Sequence, residues 1–340
     1  MRILLAVTMV VLGACSGAAP AGGTATAPKL PEGFAIAPLV EGLDGPTQMI
    51  AGPDGRLWVA QLNGGENDRD GQVVAIDPDS GDRELLAHGL DKPTGIAWAG
   101  DALWIATREA VLRAPGDPPD TPTAVIDDLP NNGRSQGTRT VAPDGMLLYE
   151  TSGRETSDGV VPGSGILWEL DPHRDADRDL TRPGARRMVA TGFKNAYAHV
   201  HDRSGALWTT EIAEPTGGVA APDELNRVER NGDHGWPACV GEGRPVARFD
   251  GDARRCAGTV APVVTFDAGA TATSVVVDPF AEGGLLVALW NAGQVVRVAA
   301  DGAVEPFVTG LPHPQHLLVD GGTLLLSDHE RGVIYRITRR

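Results

Sequence analysis

The stretch Pro53-Asp54-Gly55-Arg56-Leu57-Trp58-Val59-Ala60 recurs along the chain, and the recurrence decides the fold. It is an Asp-Gly turn running into an apolar, aromatic strand, preceded by Gly42-Leu43 and Pro46. The phrase returns as Gly89-Leu90, Pro93 and then Gly100-Asp101-Ala102-Leu103-Trp104-Ile105-Ala106. A third copy runs from Thr140-Val141-Ala142-Pro143-Asp144-Gly145 into Met146-Leu147-Leu148-Tyr149. Gly192-Phe193 precedes Asp202-Arg203-Ser204-Gly205-Ala206-Leu207-Trp208-Thr209. Thr273 to Pro279 precedes Gly284-Leu285-Leu286-Val287-Ala288, and Gly310-Leu311-Pro312 precedes Asp320-Gly321-Gly322-Thr323-Leu324-Leu325-Leu326. Gly accepts the positive φ of such turns without steric cost, so each phrase is a hairpin.

Each copy is followed by a third strand, as in Gln72-Val73-Val74-Ala75-Ile76, Val295-Val296-Arg297-Val298 or Val333-Ile334-Tyr335-Arg336-Ile337. Most have a fourth, such as Glu84-Leu85-Leu86-Ala87 or Glu305-Pro306-Phe307-Val308. Six units of four short strands, at intervals of roughly 40 to 75 residues, are the signature of propeller blades. The last copy stops after its third strand, and Phe34 to Val40 supplies a strand ahead of the first copy. The expected fold is therefore all-β: a six-bladed β-propeller of four-stranded antiparallel blades, closed by its N-terminal strand, which leaves no edge exposed.

High Gly (44) and Pro (26) suit many tight turns. A formal net charge of −16 repels phosphate backbones and argues against nucleic-acid binding. Arg2, the apolar run Ile3 to Leu12, and Leu12-Gly13-Ala14-Cys15 read as a lipoprotein signal peptide over 1–14. The run is too short to span a membrane. Cys15 would be acylated, with 15–31 as the lipidated Cys and flexible tether and 32–340 as the propeller. A monomer held at the extracytoplasmic face of the bacterial membrane by its lipid alone is expected. Cys239 and Cys256 remain; in an oxidising compartment they most simply form a disulfide. The competing reading, a two-cysteine metal site, lacks a second ligand pair.

In a propeller, the loops leading into each inner strand and those following the second strand meet at one mouth of the channel. This gathers Gln48, Gln61, Arg108, Arg139, Lys194, Asn195, Tyr197, His199, Glu211, Asn291, His316, Asp328 and His329 as candidates for a site. There is no H-E-x-x-H or P-loop. Asp175, Asp177 and Asp179 alternate as calcium ligands can, but interleaved basic groups favour a solvated loop; Asn63 to Gly71 is similarly ambiguous.

One segment is more specific. Pro222-Asp223-Glu224-Leu225-Asn226-Arg227-Val228 followed by Asn231-Gly232-Asp233-His234-Gly235-Trp236-Pro237 resembles the glucose/sorbosone dehydrogenase family, with Gly192-Phe193-Lys194-Asn195 upstream. The resemblance implies a six-bladed propeller binding pyrroloquinoline quinone (PQQ) and calcium, and oxidising a sugar or aldehyde at the channel mouth. It points to Gln61, Lys194, Asn195, Glu211 and Asn291 as facing the cofactor, and to the backbone carbonyls of Glu211, Ile212 and Ala213 as calcium ligands. The family's base is a His in blade three. Here that stretch reads Gly133-Arg134-Ser135-Gln136-Gly137-Thr138-Arg139-Thr140, with no His. This leaves His199 and His316, with Arg139, as catalytic candidates. Two other expectations stand beside the dehydrogenase: a non-catalytic propeller binding a surface partner or glycan, and a metal-dependent lactonase or lyase using Glu211 with His199, His316 or His329.

Overall fold

The computed structural model describes residues 27–131, 136–175, 180 and 186–340. Cys15 and the signal peptide, Gly133 to Ser135, Asp177 and Asp179 lie outside the described residues.

Six four-stranded antiparallel sheets form the expected propeller. The inner strands of blades 1 to 6 are Pro46–Ala51, Gly95–Ala99, Thr140–Val141, Ala196–His201, Ala272–Val277 and Pro314–Asp320. The second strands are Leu57–Gln61, Ala102–Ala106, Leu147–Thr151, Leu207–Glu211, Leu285–Leu289 and Thr323–Asp328. Those of blades 1, 2, 3 and 5 are buried at every position. They are sandwiched between neighbouring blades, which is why their apolar runs are continuous rather than alternating.

The repeated turn has a local cause. Gly55 takes φ of 79° and Gly205 of 84°, where a side chain would be strained. The aspartate beside each turn accepts the indole N–H of the strand's tryptophan: Trp58 Nε1 to Asp54 at 3.1 Å, Trp208 Nε1 to Asp202 at 2.8 Å. The aromatic ring is thereby buried with its one polar atom satisfied.

Apolar clusters fill all six interfaces between blades. Blades 1 and 2 meet at Trp58 and Ile105, blades 3 and 4 at Leu148 and Phe193, and blades 6 and 1 at Ile334 and Met49. The ring closes as expected. Phe34–Val40 pairs antiparallel with Val333–Arg339, in a register running from Phe34 opposite Arg339 to Val40 opposite Ile334. Phe34 also meets Phe280 and Phe307 edge-on, at centroid distances of 5.1 and 5.0 Å.

Blade 4 departs from the others. Between its third strand, Glu224–Arg227, and its two-residue fourth, Val264–Thr265, lies a long insertion. A Cys239–Cys256 disulfide closes it, removing the metal alternative for these cysteines. Its Trp236 packs on blade 3, so a Cβ at Gly153 or Gly165 would fall 2.8 or 2.7 Å from the indole. Asp175 is likewise structural: its carboxylate accepts the Asp171 N–H at 2.8 Å and faces Arg187 at 3.0 Å. In the Asn63 to Gly71 loop, Asp68 accepts the Gly65 N–H at 2.6 Å.

Candidate functional site

At the mouth lies a cavity of about 420 Å³, lined from five blades. Blade 1 contributes Thr47, Leu62 and Glu66; blade 2, Lys92 and Thr94; blade 4, Asn195, Tyr197 and Ile212. Blade 5 adds Thr271, Thr273, Trp290 and Asn291, and blade 6 adds Gln315 and His329.

Two backbone features aim these side chains. In blades 1, 4, 5 and 6 the pairing of inner and second strand slips within the first few residues. The residues at the slips include Thr47, Tyr197, Thr273 and Gln315. Such bulges re-aim a side chain out of the sheet's alternation. The second feature is the residue one past the second strand, which is Leu62, Ile212, Trp290 or His329 in the same four blades. Strand side chains alternate by two, so the preceding residue points elsewhere.

That alternation places several of the expected residues away from the cavity. Gln61 does not line the cavity: its Oε1 accepts the Asp44 N–H at 3.1 Å and its Nε2 donates to Gln72 at 3.2 Å. Glu211 turns back onto its own blade and accepts the Lys194 N–H at 2.6 Å. Each of these residues thus pins the loop leading into its blade's inner strand. Burial, reinforced by Glu224, pushes the Glu211 carboxyl well above the usual range, and burial raises Glu224 to about 7. Lys194 also stays out of the cavity. Its ammonium lies 3.4 Å from Glu214, 4.0 Å from Glu155 and 5.6 Å from the centre of the Trp236 ring.

The catalytic candidates lie beneath the mouth rather than on it. His316 is buried, with Nδ1 accepting the Met49 N–H at 3.5 Å, and burial lowers it to about 3. His199 is also lowered to about 3, by burial with the Arg139 charge adding to it. Arg139 is 1% exposed and donates to the Gly137 and Thr138 carbonyls at 3.3 and 3.1 Å. Burial lowers it to about 10. The expected Asn195, Ile212, Asn291, Tyr197 and His329 do line the cavity; Ala213 does not. The Ala213 N–H donates to Asp223 at 2.7 Å, and the same carboxylate accepts the Thr271 N–H, tying blade 4 to blade 5.

Beyond the expected residues the lining holds Thr47, Leu62, Glu66, Lys92, Thr94, Thr271, Thr273, Trp290 and Gln315. A signal for three of them was present: Pro46-Thr47, Pro93-Thr94 and Pro314-Gln315 repeat one proline–polar pair at the head of an inner strand. Trp290 forms a wall, stacked on His313 at 3.6 Å between centroids, with His313 bound to Glu330 at 2.8 Å. His329 turns Nδ1 toward the Pro46 carbonyl at 3.2 Å, and burial lowers its pKa.

Residues 176–306 match the family model described as Glucose / Sorbosone dehydrogenase. The resemblance to that family is borne out. No curated protein matches the chain in sequence. Among solved structures, the PQQ-bound aldose sugar dehydrogenase of Streptomyces coelicolor superposes with a TM-score of 0.69 at 17% identity, over 91% of this chain and 99% of that one. The holo PQQ domain of pyranose dehydrogenase from Coprinopsis cinerea gives 0.74 at 15% identity, over 92% and 97%. A Thermus thermophilus protein described as an oxidoreductase (glucose dehydrogenase) gives 0.70 at 20%, over 90% and 100%. At such identities the likeness is one of fold.

PQQ, the cofactor this family implies, carries three carboxylates and needs cations or N–H donors to offset them. Among the described residues the cation lining the cavity is Lys92, already held by Glu66 at 2.6 Å. Lys194 is turned away, and Arg108 is bound to Asp91 at 3.2 Å and Asn67 at 2.8 Å. The residues at the mouth therefore do not fit a trianion. Among the described residues no three His, Cys, Asp or Glu side chains form a metal-holding group. Of Glu211, Ile212 and Ala213, whose backbone carbonyls are the expected calcium ligands, Ile212 lines the cavity and the other two do not.

Proposed function

We propose that this chain is an exported, lipid-anchored propeller whose mouth cavity binds a small polyhydroxylated molecule, a sugar or sugar aldehyde. The observation that carries the proposal is the cavity lining. The half-buried Trp290 shares the lining with the polar residues Thr47, Thr94, Asn195, Thr273 and Gln315. An apolar wall for a C–H face and convergent polar groups for hydroxyls are what such a ligand requires. The volume, about 420 Å³, suits a mono- or disaccharide. Export and the Cys15 anchor rest on the leader sequence, with no described helix long and apolar enough to cross a membrane.

A second reading, a PQQ-dependent dehydrogenase, is favoured by the family match and by the PQQ-bound neighbours. The lactonase or lyase reading gains nothing from the geometry, since Glu211, His199 and His316 do not share the cavity.

Calorimetric titration with a panel of aldoses, then with PQQ and calcium followed by an aldose and an electron-accepting dye, separates these readings. Saturable sugar binding that Trp290→Ala weakens, with no PQQ binding and no dye reduction, is the expected result. Saturable PQQ binding with dye reduction would replace the proposal by the second reading. No sugar binding at all would remove the proposal.

A further inference from the structure

The threonine hydroxyls at the mouth have their protons committed elsewhere. Thr47 Oγ1 donates to the Pro93 carbonyl at 2.8 Å, with the Ala60 carbonyl at 3.1 Å. Thr94 Oγ1 donates to the Gln136 carbonyl. Thr273 Oγ1 donates to the Pro314 carbonyl at 3.2 Å. Three times, then, a hydroxyl of one blade bonds a carbonyl of the next. Thr271 Oγ1 donates to the Gly269 carbonyl at 3.2 Å and also accepts from Asn291 Nδ2 at 2.8 Å. A hydroxyl has one proton, so what these residues can still offer a ligand is lone pairs.

Asn195 gives the same polarity. Its Nδ2 donates to Ser152 Oγ at 2.7 Å and Glu150 Oε1 at 3.0 Å, which fixes the amide's orientation. Its Oδ1 is buried and has no hydrogen-bond partner among the described residues, although the side chain lines the cavity. A buried acceptor left unsatisfied is costly, and a donor from the ligand would satisfy it.

From this wall of acceptors we infer that the mouth cavity selects a ligand bearing a protonated primary amine, an amino sugar rather than a neutral or acidic one. The inference rests on the proposed sugar-binding role of the cavity. A neutral hydroxyl brings one proton that this wall can accept and two lone pairs that need donors, of which the wall has few to give. An ammonium brings three donors and no acceptor, and its hydrogen bonds to neutral oxygens are charge-assisted. The aromatic side chains of Trp290 and Tyr197 in the lining favour a cation, as does the chain's net charge of −16. The Lys92–Glu66 pair cancels its own charge at the rim.

The test is calorimetric titration at pH 6 with glucosamine, galactosamine and mannosamine, their parent hexoses, their uncharged N-acetyl forms, and the corresponding uronates. At least one amine should bind about tenfold or more tightly than its parent sugar, lose that advantage on N-acetylation, and weaken as salt is raised. Uronates should not bind. Lys92→Met, which removes a positive charge from the rim, should tighten amine binding severalfold, and Glu66→Gln should weaken it; unchanged melting temperatures show that both variants fold. If parent sugars bind as well as amines, or uronates bind best, the inference fails while the sugar site stands. If no sugar of any charge binds, both fail together.

Discussion

Replacing both Cys239 and Cys256 by serine should cost the protein about 3 kcal/mol, the chain-entropy value for releasing a cross-link across 17 residues. For a folded unit of roughly 300 residues, the unfolding entropy is about 0.6 kcal/mol per degree at the midpoint. The melting temperature should therefore fall by about 5 °C. Scanning calorimetry of the oxidised protein and the double variant, each with and without reductant, measures this directly. Reductant should lower the wild type toward the variant and leave the variant unmoved. Because the bond closes the insertion that seats Trp236 on Gly153 and Gly165, tryptophan emission of the variant should shift before global unfolding. Two results would refute the reasoning: a midpoint within about 1 °C of wild type, or an equal response of both proteins to reductant.

Three other outcomes follow from the geometry. His316 is held at about 3 by burial against an ordinary 6.5, so the unfolded chain takes up its proton first. The stability this supplies is complete above pH 6.5 and drains away as pH falls toward 3. His316→Asn, which keeps an acceptor for the Met49 N–H, should flatten the fall in melting temperature between pH 6.5 and 4, and parallel profiles would contradict it. Gly137→Ala would drive a Cβ into the Tyr197 carbonyl oxygen and should cost roughly 3 kcal/mol or abolish folding; denaturant titration decides. Cys15→Ser should move the expressed protein from the detergent phase to the aqueous phase in a phase-partition assay, and continued partition into detergent would dismiss the lipid anchor.

The architecture was legible because a propeller repeats much of the same local physics from blade to blade. The Asp-Gly turn, the indole that the aspartate caps and the doubly buried second strand each recur in sequence, and even the missing last strand could be found at Phe34 to Val40. The site was legible only to within a residue. Gln61 and Glu211 stand where second strands reach the mouth, yet the alternation of a strand turns Leu62 and Ile212 to the cavity instead. At the inner strands the bulges hand the mouth to Thr47, Thr273 and Gln315 while His316 stays buried. A bulge is a property of strand pairing, with no mark in a period of two. Lys194 was lost for a different reason. Its partners Glu155 and Glu214 come from separate blades, and Trp236 arrives on an insertion whose path no local pattern foretells.

The clasp between Phe34–Val40 and Val333–Arg339 sets an order on assembly. Its two halves lie about 300 residues apart, so five blades can mature before Val333–Arg339 emerges to complete the sixth. A product cut short before Val333 would be an open arc, displaying unpaired strand edges of the kind that recruit other chains. Bringing ends about 300 residues apart into register is also the costliest loop to close, which makes this seam the natural bottleneck of folding.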